Sequence, residues 1–193
     1  LPCKLVFSFI NIVYLCNIFM MNMNESIAIR RLVEEDAKEY LSFAQKIIAE
    51  GIYSITVPSE FNVDLSSERK WICDILRNEN NICLVAVIGG SHIIGNVNIL
   101  QNSKIKLAHN SELTISVAAG YRGQRLGTRL LGRALDELSG NLTIGQLHLN
   151  VVGNNSRAIK LYTEFGFVEN GRLSDYVCHD GKFIDLISMS RKI

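Results

Sequence analysis

Two short segments of the 193-residue chain concentrate its chemistry. The first runs Val117-Ala118-Ala119-Gly120-Tyr121-Arg122-Gly123-Gln124-Arg125-Leu126-Gly127-Thr128. A strand pattern ends there, a glycine-bearing turn follows, and a helical apolar period begins. The first N–H groups of a helix have no intrahelical partners and, with the helix dipole, form an anion site. Gly123 and Gly127 lack Cβ atoms, so a phosphate can come close to the main chain. Arg122 and Arg125 add positive charge and Thr128 adds a hydroxyl. On these residues alone, an ordinary strand–turn–helix with surface arginines is the other reading. Neither G-x-G-x-x-G nor G-x-x-x-x-G-K-[ST] occurs, which weakens a dinucleotide fold and an NTPase. The second segment is Asn155-Ser156-Arg157-Ala158-Ile159-Lys160-Leu161-Tyr162-Thr163-Glu164-Phe165-Gly166-Phe167. It reads as a short helix opened by an Asn cap, with Ala158, Ile159, Tyr162 and Phe165 inward and Gly166 at the C′ position.

The elements that must position these segments follow from periodicity. Ile27 to Leu32 alternates as a strand, and Glu34, Glu35 and Asp36 then supply an acidic helix start. Ala37, Leu41, Ala44 and Ile48 continue that helix to Gly51. A second helix spans Ser66 to Arg77, carrying Trp71, Ile72 and Ile75. Strands are expected at Ile82–Ile88, at Ile93–Leu100 with a bulge at Gly95, and at Leu113–Val117. In the last of these Leu113, Ile115 and Val117 share one face, and Glu112, Thr114 and Ser116 the other. Leu126 to Leu138 is an amphipathic helix of about four turns closed by Gly140, and Ile144–Val152 is a strand. A hairpin turning at Asp180-Gly181 ends the chain. The order β-α-α-β-β-β-α-β-α-β-β argues for an α/β or α+β sheet, mainly antiparallel in its first half.

With both segments on the page, the chain resembles the GNAT superfamily of acetyl-CoA-dependent N-acetyltransferases, in particular its small bacterial members. Their cofactor loop reads [QR]-x-x-G-x-[GA] after a strand and at a helix start. Their second signature, N-x-x-A-x-x-L-Y-x-x-x-G-F, is matched at Asn155, Ala158, Leu161, Tyr162, Gly166 and Phe167. The first signature is matched at Arg122 and Gly127, while Arg125 stands where glycine is usual. The resemblance covers about residues 27–190, including the ending from Gly171 to Ser190. It implies a mixed, mostly antiparallel central sheet with splayed parallel strands in its middle and helices on both faces.

The resemblance also implies a mechanism. Acetyl-CoA, as cosubstrate, would enter the gap between the strands at Leu113–Val117 and Ile144–Val152. Main-chain groups near Val117 would pair with its pantetheine amides, as an added strand does. The N–H groups of Arg122, Gly123, Gln124, Arg125, Leu126, Gly127 and Thr128 would hold the pyrophosphate, and Asn155 the cofactor arm. A primary amine would attack the thioester directly. Tyr162 would be the general acid that protonates the leaving thiolate, because a phenol of pKa ~10 keeps its proton at neutral pH. Glu112 is the candidate base through a water, against the reading of a solvated strand carboxylate. His109 is a weaker candidate, His148 reads as a sheet residue, and His92 and His179 flank turns. Asp175, Tyr176 and Asp185 on the final hairpin would line the acceptor side. No metal is called for. The acceptor would be a small-molecule amine or a peptide or protein amine, and dimers are common among such folds. A second reading is a non-catalytic acyl-CoA-binding sensor or interaction module, which has less reason to keep a proton donor at 162.

Composition bounds these readings. Twenty basic and nineteen acidic residues give a formal charge of +1, which speaks against a nucleic-acid partner or a polybasic membrane patch. Five cysteines, an odd number without C-x-x-C pairs, fit a reducing cytoplasm rather than a disulfide framework or zinc ribbon. Residues 1–22 form an apolar leader and 23–193 the transferase domain. The leader reads as sequence extraneous to the domain, as a short anchor, or as a signal segment lacking an A-x-A-like site.

Overall fold

The computed structural model describes residues 26–51 and 53–193, and the leader lies outside them. Seven strands form one sheet in the order β1-β2-β3-β4-β5-β7-β6. The strands are β1 (Ala28–Arg31), β2 (Ile82–Ile88), β3 (His92–Gln101), β4 (Asn110–Val117), β5 (Gln146–Val152), β6 (Val168–His179) and β7 (Lys182–Lys192). The helices are α1 (Ala37–Ala49), α2 (Leu65–Leu76), α3 (Leu126–Leu138) and α4 (Ser156–Glu164). Every neighbouring pair is antiparallel except β4 and β5, which run parallel. The expected mixed sheet and the expected order of its elements are both present.

Two cores sandwich the sheet. On one face α3 and α4 pack through Leu126, Leu130, Leu131, Ala134 and Tyr162 onto Leu113, Leu147, Leu149 and Met189. On the other, α1 and α2 pack through Tyr40, Phe43 and Ile72 onto Cys83, Val85 and Ile93. Strand β2 lies between the two cores, which is why its sequence ICLVAVI is apolar at every position rather than alternating. The bulge falls beside Gly95: Ala86 pairs Gly95 and Val87 pairs Ile93, so Ile94 is the extra residue. A Cβ on Gly95 would stand 3.0 Å from Leu130 Cδ1 and 3.2 Å from the Ser116 carbonyl oxygen, so glycine lets α3 lie close over the bulge.

The final turn is as its sequence demands, with positive φ at Asp180 (49°) and Gly181 (72°). Boundaries differ where the chain lacks apolar alternation. Strand β4 begins three residues before the expected Leu113, at Asn110, and β5 begins at Gln146 rather than Ile144. The cause is main-chain pairing. The His109 carbonyl accepts from the N–H groups of Gly145 and Gln146 (2.8 and 3.1 Å), and this contact seeds the parallel ladder.

Candidate active site

The parallel ladder is short. Asn110, Ser111 and Glu112 pair with Gln146, Leu147 and His148, and there it stops. Beyond this rung β4 continues to pair with β3 up to Val117, and β5 with β7 up to Val152. The sheet therefore forks at Glu112 and His148. The Ala118 N–H donates to the Ile94 carbonyl on β3 (2.9 Å). Strand alternation then turns the main-chain groups of Leu113, Ile115 and Val117 the other way, into the fork. From Glu112 to Val117 this open edge is about 17 Å long.

The top of the edge leads to the start of α3. No N–H group from Gly123 to Thr128 is spent on another described backbone group, and the first helical bond is Arg129 N–H to the Arg125 carbonyl (3.0 Å). The start has no side-chain cap and no acidic residue in its first turn. Arg125, where the resemblance expects glycine, takes the left-handed conformation at φ 59°. The loop thus keeps the turn at an expense of roughly 1–2 kcal/mol for a residue with a Cβ. Gly123 also has positive φ (78°), and space around its Cα is open. A Cβ on Gly127 would meet Leu161 Cδ2 at 3.4 Å and Ile115 Cδ1 at 3.9 Å, so its bare face borders α4 and the fork. The Arg122 side chain is not free for a phosphate. Its Nε donates to the Val117 carbonyl (2.7 Å) and its guanidinium pairs with Glu50 at the end of α1. Gln124 donates back to the Gly120 carbonyl (3.0 Å) and Thr128 is exposed.

Across the fork, α4 starts differently. Asn155 Oδ1 accepts from the Ala158 N–H (3.1 Å), so its carbonyl oxygen caps the helix and its amide protons remain for another partner. The cap fixes the first turn of the helix that carries Tyr162. This tyrosine is buried, with its ring 5.8 Å from that of Phe167, and burial pushes its hydroxyl up to about 12. A phenol so placed holds its proton through the neutral range.

The opposite face of the fork is polar. Glu112, Thr114 and Ser116 on β4 point there, and so do His148 and Asn150 on β5, because their alternates Leu113, Leu147, Leu149 and Val151 are in the core. Asn96 and Asn98, beside Ser116 and Thr114, donate through their Nδ2 atoms to the Tyr40 hydroxyl (2.8 and 3.0 Å). Burial pushes that hydroxyl up to about 12, and burial also raises Glu68 on α2. Among the described residues the two asparagine carbonyl oxygens have no partner. Sequence reasoning missed this cluster, although asparagines at alternate positions of an otherwise apolar strand were its signal. It also missed the position of His148, since nothing in the sequence sets the parallel register.

The remaining candidates lie elsewhere. His109 is bonded to the Asn110 side chain (3.1 Å) next to the ladder's start. His92 pairs with Glu39 (2.5 Å), and His179 lies 3.5 Å from Asp180 at the hairpin tip. A Cβ on Gly51 would stand 3.7 Å from the His179 ring, so the hairpin tip and the end of α1 meet beside the polar face. Asp185 is engaged within the hairpin. It accepts from Arg172 (3.0 Å) and from the Asp175 N–H (3.1 Å), and the Arg172 guanidinium holds its carboxyl below the usual range. Tyr176 is exposed.

A sequence profile described as the acetyltransferase (GNAT) family matches residues 49–167, which is more than half of the chain. The chain belongs to the GNAT acetyltransferase family. Among curated relatives, the spermidine N(1)-acetyltransferase of Vibrio cholerae is 32% identical over 99 residues, covering 51% of this chain and 56% of that protein. The L-amino acid N-acetyltransferase of Escherichia coli is 25% identical over 108 residues, covering 56% of this chain and 66% of that protein. The matched part is thus less than two thirds of either relative's length. A GNAT-family acetyltransferase of Streptococcus pneumoniae superposes with a TM-score of 0.81 at 25% identity, covering 87% of this chain and all (100%) of that one. A phosphinothricin acetyltransferase of Sinorhizobium meliloti, solved in complex with acetyl-CoA, has the same fold: TM-score 0.76, 17% identity, 86% and 88% coverage. Among the described residues no helix is long and apolar enough to cross a membrane.

Proposed function

We propose that this GNAT domain is an acetyl-CoA-dependent N-acetyltransferase that acts on a primary amine. One observation carries the reading: the edge from Leu113 to Val117, which no neighbouring strand pairs, runs into the N–H groups of Gly123 to Thr128, which no other described backbone group takes up. The residues fit an acyl-CoA. The helix start, with Arg125 beside it, takes the pyrophosphate, and the odd-numbered main-chain groups of β4 take the amides of the arm as an added strand would. The free amide protons of Asn155 face the arm from the second lip. The acyl end then lies near Glu112, at the closed end of the fork. Bound acetyl-CoA supplies an activated acyl group as its thioester.

Each face of the fork has its own task. On the polar face, the Glu112 carboxylate draws an incoming ammonium and takes its proton through a water. On the opposite face Tyr162 donates a proton to the sulfur that departs, and an N–H of the β4 edge near Glu112 supports the developing oxyanion. The relatives that act on spermidine and on L-amino acids favour a small aliphatic amine as acceptor. The test is release of free CoA thiol from acetyl-CoA across a panel of polyamines, amino acids, aminoglycosides and peptides. Turnover with at least one amine is expected. Tight acetyl-CoA binding without turnover on any member would favour the sensor or interaction module instead.

A further inference from the structure

Arg122 stands at the top of the fork and is held from two sides. Its Nε donates to the Val117 carbonyl (2.7 Å), and its Nη2 pairs with the Glu50 carboxylate. Both side chains are half-buried, and 72 positions separate them. The turn that carries Arg122 closes through the main chain. The Tyr121 N–H donates to the Ala118 carbonyl (2.9 Å) and the Arg122 N–H to the Ala119 carbonyl (3.3 Å). The guanidinium is therefore not spent on making the turn. Glu50 is an unfavourable choice for its own place. It is the C-cap of α1, where the negative end of the helix dipole disfavours a carboxylate and favours a cation. A residue that breaks a local rule points to a task outside its own element.

That task follows from what Arg122 covers. Val117 is the last residue of β4, and its carbonyl is the outermost acceptor on the open edge. With Nε on it, an arm laid along the edge from the start of α3 meets its first free acceptor at Ile115. An arginine directly before Gly123 would ordinarily turn to the phosphates, because a guanidinium binds them through two parallel N–H bonds. The Glu50 carboxylate holds it away from them. We propose that Glu50 is a positioning residue: by keeping Arg122 on the Val117 carbonyl it closes the outermost acceptor of the edge and fixes the register in which the acyl-CoA arm lies. This role rests on the acetyltransferase proposal above. With the Val117 carbonyl open, the arm can pair one two-residue step higher, and its thioester then stops about 7 Å short of the closed end. In that register Tyr162 and Glu112 no longer flank the reacting carbon.

The test compares the full wild-type chain with Glu50→Gln, using acetyl-CoA and the amine of the panel that turns over fastest. In the crystal structure of the wild-type acetyl-CoA complex, Arg122 is expected on the Val117 carbonyl and the nearest arm N–H on the Ile115 carbonyl. In Glu50→Gln the guanidinium should move to the pyrophosphate. Acetyl-CoA affinity by calorimetry should then rise about tenfold. The kcat should fall about tenfold, because most of the bound cofactor lies out of register. A merely structural role for the ion pair would not tighten binding. Arg122→Leu opens the same carbonyl without a charge to offer the phosphates, so it should show the loss in kcat without the gain in affinity. It also decides the matter if Glu50→Gln does not fold. An arm N–H on the Val117 carbonyl of the wild type, an affinity unchanged or weakened in Glu50→Gln, or an unaltered kcat in Arg122→Leu overturns the register role and leaves the acetyltransferase reading standing. A wild-type chain that binds acetyl-CoA but acetylates no amine defeats that reading alone, and the crystallographic and calorimetric outcomes still decide the register. A wild-type chain that binds no acetyl-CoA overturns both.

Discussion

Two helix starts face the same fork and are built in opposite ways. At α4, Asn155 accepts from the Ala158 N–H, so the first turn is satisfied from within the chain. At α3, among the described residues, nothing caps the start, a left-handed Arg125 leads into it, and its leading N–H groups have no partner. Leaving such donors unpaired lowers the stability of the free protein. On the proposed function the contrast separates two tasks: α4 is fixed to hold the tyrosine proposed as the acid, while α3 keeps its donors in reserve for the proposed anion.

Four substitutions would break or sharpen this contrast. Tyr162→Phe removes what the fixed helix is there to present, and kcat should fall at least ~100-fold with acetyl-CoA affinity nearly intact. It also changes the alkaline behaviour. The Tyr162 hydroxyl is raised from 10.0 to about 12 in the folded chain, so its burial stabilises fully below pH ~10 and that contribution is lost as pH rises towards about 12. A spectrophotometric tyrosinate titration of the variant should lack one late-ionising group.

Thr128→Glu gives α3 the acidic first turn it lacks. The free protein should melt higher, by about 0.3–1 kcal/mol of stability, while acetyl-CoA affinity by calorimetry falls about tenfold. A change in the same direction for both would show that the start of α3 holds no anion. Asn155→Ala strips the cap of α4 and should cost about 1 kcal/mol in denaturant unfolding. Arg125→Gly is the mildest change. Relief of the left-handed strain, partly offset by the entropy of glycine in the unfolded chain, should leave stability within about 1 kcal/mol. The lost charge should weaken acetyl-CoA binding in a salt-dependent way.

Most of the fold was legible because its signals are local. The 3.6-residue stripe of α3, the Asn155 and Gly166 punctuation of α4 and the Asp180-Gly181 turn each act through neighbouring residues, and all appear where expected. Both lips of the candidate site were legible for the same reason. What escaped was non-local. The three residues that make the parallel ladder, Asn110 to Glu112, have no apolar alternation, so periodicity alone starts the strand after them. Without that ladder the neighbour of Glu112 could not be named, and His148 looked like any strand histidine. The charge of Arg122 is visible in the sequence, whereas its partner Glu50 lies 72 positions away.

An unpaired strand edge is ordinarily a hazard, since it templates growth by any passing chain and so leads to aggregates. The open run from Leu113 to Val117 has strand β3 on one side and the diverging β5 on the other, with α3 and α4 across one face. A second protein cannot lay a strand there without prising the sheet apart, while a slender thread with two amides can slip in. The protein thus keeps a sticky surface without the danger of one, by turning it inward.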